Sequence, residues 1–334
     1  MSSRARAVAA GCGSSPPPRR TRRAQRSAYH GRVPALSHSR AYVALLLIVA
    51  LWGSYPATAK VALRDVPPVI MVAIRAAIAS AFLLVLMARS GEGTIAQITP
   101  AALRSFAVLA LTGVVSSMQL TYLSLYYTSA TNVVILQVAT PVMVAVGARV
   151  YLGERLARLQ WLGVILSASG VLLVITRGRL ANLRPAELQL GDFINLASMV
   201  CWSAYTVYGK RVLATYSPAL ATTAAYVLGT LVLIPLAVIT APLFPAPQLG
   251  STVAWLVILY QALLGAVAHV WWYRTVKVVG PSLAAVFMNL QPVVGLALAA
   301  LLLAEGISVW QIAGGLLVLG GVALTTGSRL RSPG

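Results

Sequence analysis

Carboxylates are what this sequence has least of. Six Asp and Glu stand among 334 residues, against 26 Lys and Arg, and charged residues make up 10% of the chain. A soluble domain carries roughly 25% charged residues, so too little polar material is present to cover a globular surface of this size. Asp65, Glu92, Glu154, Glu187, Asp192 and Glu305 all fall between apolar runs or at their ends. That placement excludes an Asp/Glu proton relay in the middle of a membrane. Histidine and cysteine are scarce as well, at three and two. Cys12 lies in a polar N-terminal stretch and Cys201 in an apolar run, so neither a disulfide between them nor a metal-ligand spacing is expected. No cofactor is implied, and such a stock of acid/base groups does not provision an enzyme. The net charge of +20 does not signal nucleic acid, because the basic residues neither gather on an amphipathic face nor alternate with aromatics along an exposed one.

What is abundant is apolar: 59% of the residues are hydrophobic. A hydrocarbon core of about 30 Å needs about 20 such residues per helix. Cutting at turn signals and charges yields ten runs, 41–62, 68–88, 103–124, 129–149, 159–176, 192–213, 218–240, 252–273, 281–303 and 309–327. The joints carry Pro67 and Pro68, Gly91 and Pro100, the polar segment 177–191, Pro218, Pro242 to Pro247, and Gly280 with Pro281. Residues 1–40, rich in Arg, Ser, Pro and Gly, cannot bury enough apolar surface to offset chain entropy and read as a disordered basic cytoplasmic tail. A twin-arginine export signal fits less well, since the hydrophobic part continues into further spans instead of ending at a cleavage site. Residues 328–334 read as a short cytoplasmic tail.

The ten runs are two fives. With a constant offset of 151, Pro141, Glu154, Gln160, Gly163 and Gly170 fall on Pro292, Glu305, Gln311, Gly314 and Gly321. Shared composition does not reproduce the spacing of polar and conformationally special residues, so the unit is duplicated. Each copy describes a helical hairpin in lipid. Gln160, Gly163, Ser167 and Gly170 lie on one helical face, as do Gln311, Gly314, Gly321 and Thr325, where small residues admit another backbone. Ser308 and Gln311 form a capping-box pattern that Ala157 denies the first copy. The opening helices repeat too: Trp52, Tyr55 and Lys60 recur as Trp202, Tyr205 and Lys210. This predicts repeats over 41–176 and 192–327 with a linker loop at 177–191. Basic residues crowd one side of the predicted membrane (the tail, Arg89, Arg104, Arg149, Arg155, Arg158, Lys210, Arg211, Arg274, Lys277, Arg329 and Arg331) and are few on the other, which places both termini in the cytoplasm of a cell membrane. Five spans is an odd number, so the second repeat enters from the side opposite to the first. The fold class expected is an all-α integral membrane protein of ten transmembrane helices in two inverted five-helix repeats.

The chain resembles a ten-helix member of the drug/metabolite transporter superfamily, in the EamA family. The residues that carry the resemblance are Leu51-Trp52-Gly53-Ser54 with Lys60, Arg75, Tyr126-Tyr127-Thr128-Ser129-Ala130, and the Gly153-Glu154-Arg155-Leu156 and Gln160-x-x-Gly163 hairpin with its second copy. The resemblance implies an alternating-access carrier whose cavity is lined by the first, third, fourth, sixth, eighth and ninth helices, with the fifth and tenth at the periphery.

Candidate substrate-binding or gating residues follow from chemistry in the wrong solvent. Arg75 lies about 10 Å below the membrane surface at 1.5 Å per residue, where an unpaired charge costs about 2.5 kcal/mol or more. Substrate contact is one reading; snorkelling, or holding a carbonyl or Asp65, is the other. Lys60 and Lys210 end their helices and suit either interfacial anchoring or a ligand role. Trp52 and Tyr55, with Trp202 and Tyr205, stand mid-span on one face, away from the level of a membrane belt, and favour cavity lining. Pro56 is expected to loosen the first helix. Gln137 and Thr140 before Pro141, and Asn289 and Gln291 before Pro292, set amides beside a mid-helix proline, as interhelical glue or as substrate partners. Gln119 and Tyr122 are weaker cases of the same kind. His269 is the one imidazole in a predicted span; with Trp271, Trp272 and Tyr273 beside it, a belt reading competes with proton transfer. Glu154 and Glu305 read as structural, satisfying loop amides or Arg155 and Arg158.

The function expected is a carrier moving a small organic solute, an amino acid or related metabolite, outward across the cell membrane. Positive charge with aromatic and amide lining suits a neutral, zwitterionic or carboxylate-bearing solute. The partners are that solute and the lipid bilayer, with no nucleic acid; a homodimer stays open. Two other classes fit less well. A membrane transferase needs a carboxylate or histidine pair at the surface, and His30 and His38 lie in the tail. A sensor or scaffold needs an appended soluble domain, for which residues 328–334 are too few.

Overall fold

The computed structural model describes residues 38–90, 99–153, 157–178, 189–279, 287–288 and 290–330. Helices account for the regular structure, and no strand occurs among the described residues. In chain order they are α1 (His38–Ala62), α2 (Pro68–Ser90), α3 (Pro100–Tyr127), α4a (Ala130–Gln137), α4b (Thr140–Leu152), α5 (Arg158–Thr176), α6 (Leu190–Val212), α7 (Pro218–Thr240), α8 (Thr252–Val279), α9 (Gln291–Leu303) and α10 (Val309–Leu330). Six of these, α1, α2, α3, α5, α7 and α8, are long and apolar enough to cross a membrane, and the bent pair α4a and α4b makes a seventh. The runs expected at 192–213, 281–303 and 309–327 are represented by α6, α9 and α10. α6 carries Asp192, Lys210 and Arg211, and the apolar stretches described for the last two are shorter. α1 begins at His38, ahead of the expected boundary, and the rest of the expected N-terminal tail lies outside the described residues.

The joints behave as their residues dictate. Pro100 and Pro218 occupy first-turn positions where a missing N–H is harmless. The hydroxyls of Thr99, Ser129, Ser217 and Ser251 accept from the backbone N–H of Ala102, Asn132, Leu220 and Ala254 at 3.0–3.2 Å. Ser308 and Gln311 form the full capping box, at 2.8 and 3.2 Å. The first copy keeps half of it, which corrects the expectation: Gln160 Oε1 still accepts from Ala157 N at 2.8 Å. Pro141 is not mid-helix. The chain bends by 45° between α4a and α4b, and Pro141 opens the second piece, as Pro292 opens α9. α1 continues through Pro56 without a break.

The duplication is visible as a two-fold arrangement. α1 packs on α8 and α9 as α6 packs on α3 and α4b, α2 meets α8 as α7 meets α3, and α2–α7 and α5–α10 pair with their own counterparts. Residues on the axis touch their own repeats: Ser80 and Thr230 share a hydrogen bond of 2.9 Å, Ser167 Oγ donates to Val318 O at 3.2 Å, and the Trp52 and Trp202 rings meet edge to face at 6.0 Å. α5 and α10 run antiparallel, since Gly321 abuts Gly163 and Ser167 while Gly170 abuts Gly314 and Val318. A Cβ at Gly170 would come within 2.5 Å of Gly314 O, and one at Gly314 within 2.7 Å of Gly170 O. The small-residue stripes therefore bring the two backbones together.

Candidate functional site

Between the halves lies a cavity of about 140 Å³ on the two-fold axis. α1 contributes Trp52, Tyr55 and Pro56; α2 contributes Arg75; α3 contributes Gly113, Ser117, Thr121 and Tyr122. Gln137 and Thr140 face it from the α4 break, Ser198 and Trp202 from α6, His269 from α8, and Gln291 from the start of α9. The break explains Gln137 and Thr140: a helix interrupted before a proline turns its last and first polar side chains toward the interior. In α3, residues Ala110–Met118 form a π-helix. Its wider turn, which the sequence pattern did not announce, lies at the cavity wall and carries Gly113, Ser117 and Met118.

Arg75 decides the chemistry of one end. Its side chain is 3% exposed, its Nε donates to Gln261 O at 3.3 Å, and its guanidinium lies 5.2 and 5.4 Å from the ring centres of Tyr55 and Tyr122. It neither snorkels nor meets Asp65, which instead accepts from Ser251 Oγ at 2.5 Å. Two aromatic faces and a carbonyl lessen the cost of a buried cation without neutralising it. Gln261 ties the surrounding helices together. Its Nε2 donates to Thr58 Oγ1 at 2.9 Å and to Tyr55 O at 3.3 Å, while its Oε1 accepts from the Tyr122 hydroxyl. The arrangement is one-sided. The position related to Arg75 in the second repeat is Ala225, and Tyr205 and Tyr273, which correspond to Tyr55 and Tyr122, pack ring to ring at 5.9 Å.

Much of the remaining wall is aromatic. His269 is buried against Trp52, Trp202 and Tyr226, with ring centres 5.2, 5.9 and 5.5 Å away, and its Nδ1 donates to Gly265 O at 2.8 Å. It is not part of a belt; of its neighbours only Trp271 is exposed, while Trp272 and Tyr273 point inward. Trp52 Nε1 is buried without a hydrogen-bond partner among the described residues.

Thus Trp52, Tyr55, Arg75, Tyr122, Gln137, Trp202, His269 and Gln291 converge on one space. Lys60, Gln119, Tyr205 and Lys210 do not line it. Lys60 Nζ donates to Thr128 O, joining the ends of α1 and α3. Gln119 is buried with its amide unpartnered among the described residues, Tyr205 packs under Gly113 and against Trp202, and Lys210 is exposed. Asn289, Glu154 and Arg155 lie outside the described residues. Gln261 was missed, although a lone amide in the middle of an apolar run carries the same signal as Gln137. Ser198 was legible one helical turn before Trp202.

Beyond Arg75, the end of the bundle holding residues 63–67, 128–129, 248–251 and 304–308 is tied shut by polar contacts. Glu305 accepts from the backbone N–H of Ala130 and Thr131 at 3.0 and 2.8 Å, the loop-amide role expected of it. Asp192, 1% exposed, accepts from Thr128 Oγ1 at 2.6 Å and from Asn132 Nδ2 at 3.1 Å, and Gln311 Nε2 donates to Asn132 Oδ1 at 2.5 Å.

The EamA-like transporter family matches residues 39–176 and again residues 189–327. The chain belongs to that family. It is 29% identical over 299 residues to the uncharacterized transporter YyaM of Bacillus subtilis (strain 168), covering 89% of this chain and 97% of that one. An uncharacterized transporter of Archaeoglobus fulgidus is 30% identical over 290 residues, 86% of this chain and 98% of its own. A protein of known crystal structure superposes with a TM-score of 0.62 at 19% identity, over 89% of this chain and all of the other, a likeness of fold. As an EamA member, the protein is a multi-pass transmembrane transporter.

Proposed function

We propose that this EamA protein is an alternating-access carrier of ten transmembrane helices in two inverted repeats, over residues 41–176 and 192–327, that exports a small organic solute, an amino acid or related metabolite, from the cytoplasm. The observation that carries the reading is a cavity between the two copies, walled by side chains of both and holding the buried Arg75. A site at a repeat interface is where rocking of one repeat against the other exposes a solute first to one side and then to the other. The distribution of Lys and Arg supports cytoplasmic termini, which makes the end tied by Glu305, Asp192 and Lys60 the outer one. Arg75, with no described carboxylate beside it, favours a solute bearing a carboxylate, zwitterions included, and disfavours cations. The test is reconstitution in liposomes with counterflow of labelled amino acids and organic acids. Accumulation of a carboxylated solute that Arg75→Ala abolishes supports the reading. Uptake of a quaternary ammonium dye that survives Arg75→Ala overturns the solute class, and no flux of any solute overturns the carrier.

A further inference from the structure

A second cavity, sharing no lining residue with the first, opens between α3, α4b, α5 and α6 with a volume of about 970 Å³. We propose that it holds an acyl chain of an anionic phospholipid whose headgroup rests on Arg149 and Arg211. The walls are hydrocarbon, with Val146, Val150, Val171, Leu172, Val200 and Val207 among them. The hydroxyls that reach it are already committed: Thr112 to Val108 O at 2.7 Å, Ser167 to Val318 O at 3.2 Å, Thr176 to Leu172 O at 2.8 Å, and Ser203 to Met143 O at 2.9 Å. Away from the Tyr151 and Tyr208 hydroxyls, a polar solute finds little to bond there, whereas a hydrocarbon chain loses nothing by entering.

The other half differs at the related place. There α1 and α9 close on each other across Gly53 and Gly295: a Cβ on Gly53 would lie 2.8 Å from Gln291 O, and one on Gly295 3.0 Å from Gly53 O. The corresponding residues on α6 and α4b are Ser203 and Val144, and Ser203 Oγ donates to Met143 O of α4b at 2.9 Å. From Phe193 to Tyr208 the groove follows α6 for about 22 Å at 1.5 Å per residue. One leaflet is about 15 Å deep, half of a core of about 30 Å, so a full acyl chain fits.

Charge marks which end the headgroup occupies. Arg149 adjoins Val150, Arg104 stands one turn before Val108, and Arg158 opens α5, all at the same end and all exposed. Arg211 Nη1 donates to Tyr151 OH at 3.0 Å, with the guanidinium 5.6 Å from that ring centre, and Tyr151 and Tyr208 both line the groove. Among the described residues the carboxylates, Asp65, Asp192 and Glu305, stand at the opposite end. Tyrosines with arginines at one level are what an interfacial phosphate meets, and a guanidinium binds phosphate through two parallel N–H donors.

The test uses the full chain in lipid bilayers with spin-labelled phosphatidylglycerol and phosphatidylcholine, reading the motionally restricted fraction of each. Phosphatidylglycerol is expected to be favoured at least fivefold. The double variant Arg149→Gln/Arg211→Gln is expected to bring that preference within twofold, and Ala204→Trp, which fills the groove, to reduce the restricted fraction of both lipids. Equal restriction of the two lipids by the parent protein overturns the proposal, as does a preference that survives the double arginine variant, a restricted fraction that Ala204→Trp leaves unchanged, or a preference that soluble glycerol phosphate abolishes, which would mean headgroup binding alone. Should Ala204→Trp fail to fold, Val150→Trp with chain-brominated lipids decides: at least twofold stronger quenching by the phosphatidylglycerol form supports it, and equal quenching overturns it.

Discussion

At the scale of single residues, one cation and one amide set the character of the central cavity. Arg75→Lys keeps the charge but loses the flat contact with Tyr55 and Tyr122, and its ammonium cannot bind a carboxylate through two donors. The variant is expected to weaken solute binding at least tenfold, about 1.4 kcal/mol, as measured by the concentration giving half-maximal counterflow. Equal affinity in Arg75→Lys would mean that the solute does not touch the guanidinium. Gln261→Leu takes the amide acceptor from the Tyr122 hydroxyl in an apolar interior, which costs about 1–3 kcal/mol. Unfolding in mixed micelles is expected to show that loss, and unchanged stability would deny the amide its tie between helices. Arg75 could be singled out from sequence because a charge in hydrocarbon is conspicuous. Its partners could not be assigned to it, since Tyr55 and Tyr122 lie on other helices and the third partner is the backbone carbonyl of Gln261, 186 residues on.

At the scale of helices, the repeat explains where strain and close packing occur. Gly153 and Ala304 are equivalent positions ending α4b and α9, and both adopt a left-handed backbone, with φ of 68° and 53°. Alanine meets a steric cost there that glycine avoids. Ala304→Gly is expected to stabilise the protein by about 1 kcal/mol, seen as a raised melting temperature; a lowered one would show that the side chain's contacts outweigh the strain. The α5–α10 contact responds in the opposite direction. Gly170→Val thrusts a branched side chain at Gly314 O and Val318, and overpacking of that kind costs about 1–3 kcal/mol. A variant as stable as the parent would rule out the backbone contact. The stripes were legible as helical spacing, but not that each meets the other; that pairing depends on how the halves fold around the axis.

For the whole molecule, the question is which end faces outward. Gly250 has open space around it at the end sealed by Glu305, and Arg158 is exposed at the other. With Cys12 and Cys201 replaced by Ser, Gly250→Cys is expected to react with a membrane-impermeant maleimide on intact cells, and Arg158→Cys only after lysis. The reverse pattern would invert the orientation and turn the proposed export into uptake. Solute flux from the cytoplasmic face requires the polar seal to open. Removing the acceptor in Glu305→Ala is therefore expected to favour the state accessible from the Gly250 side, measured as faster maleimide labelling of a cysteine placed at Thr128.

Composition and spacing alone determined that this is a helical membrane protein made of two copies of one unit, because apolar length and a repeated offset are properties of the chain itself. They also singled out most of the residues that face the cavity, since polar groups in lipid are few and costly. Only the tertiary structure decided that Trp52 meets Trp202, that Gln261 stands behind Arg75, that His269 belongs to the interior, and that α4 breaks before Pro141. Each of these depends on which helix lies beside which, and a helix of uniformly apolar character gives no sign of which face its neighbour will cover.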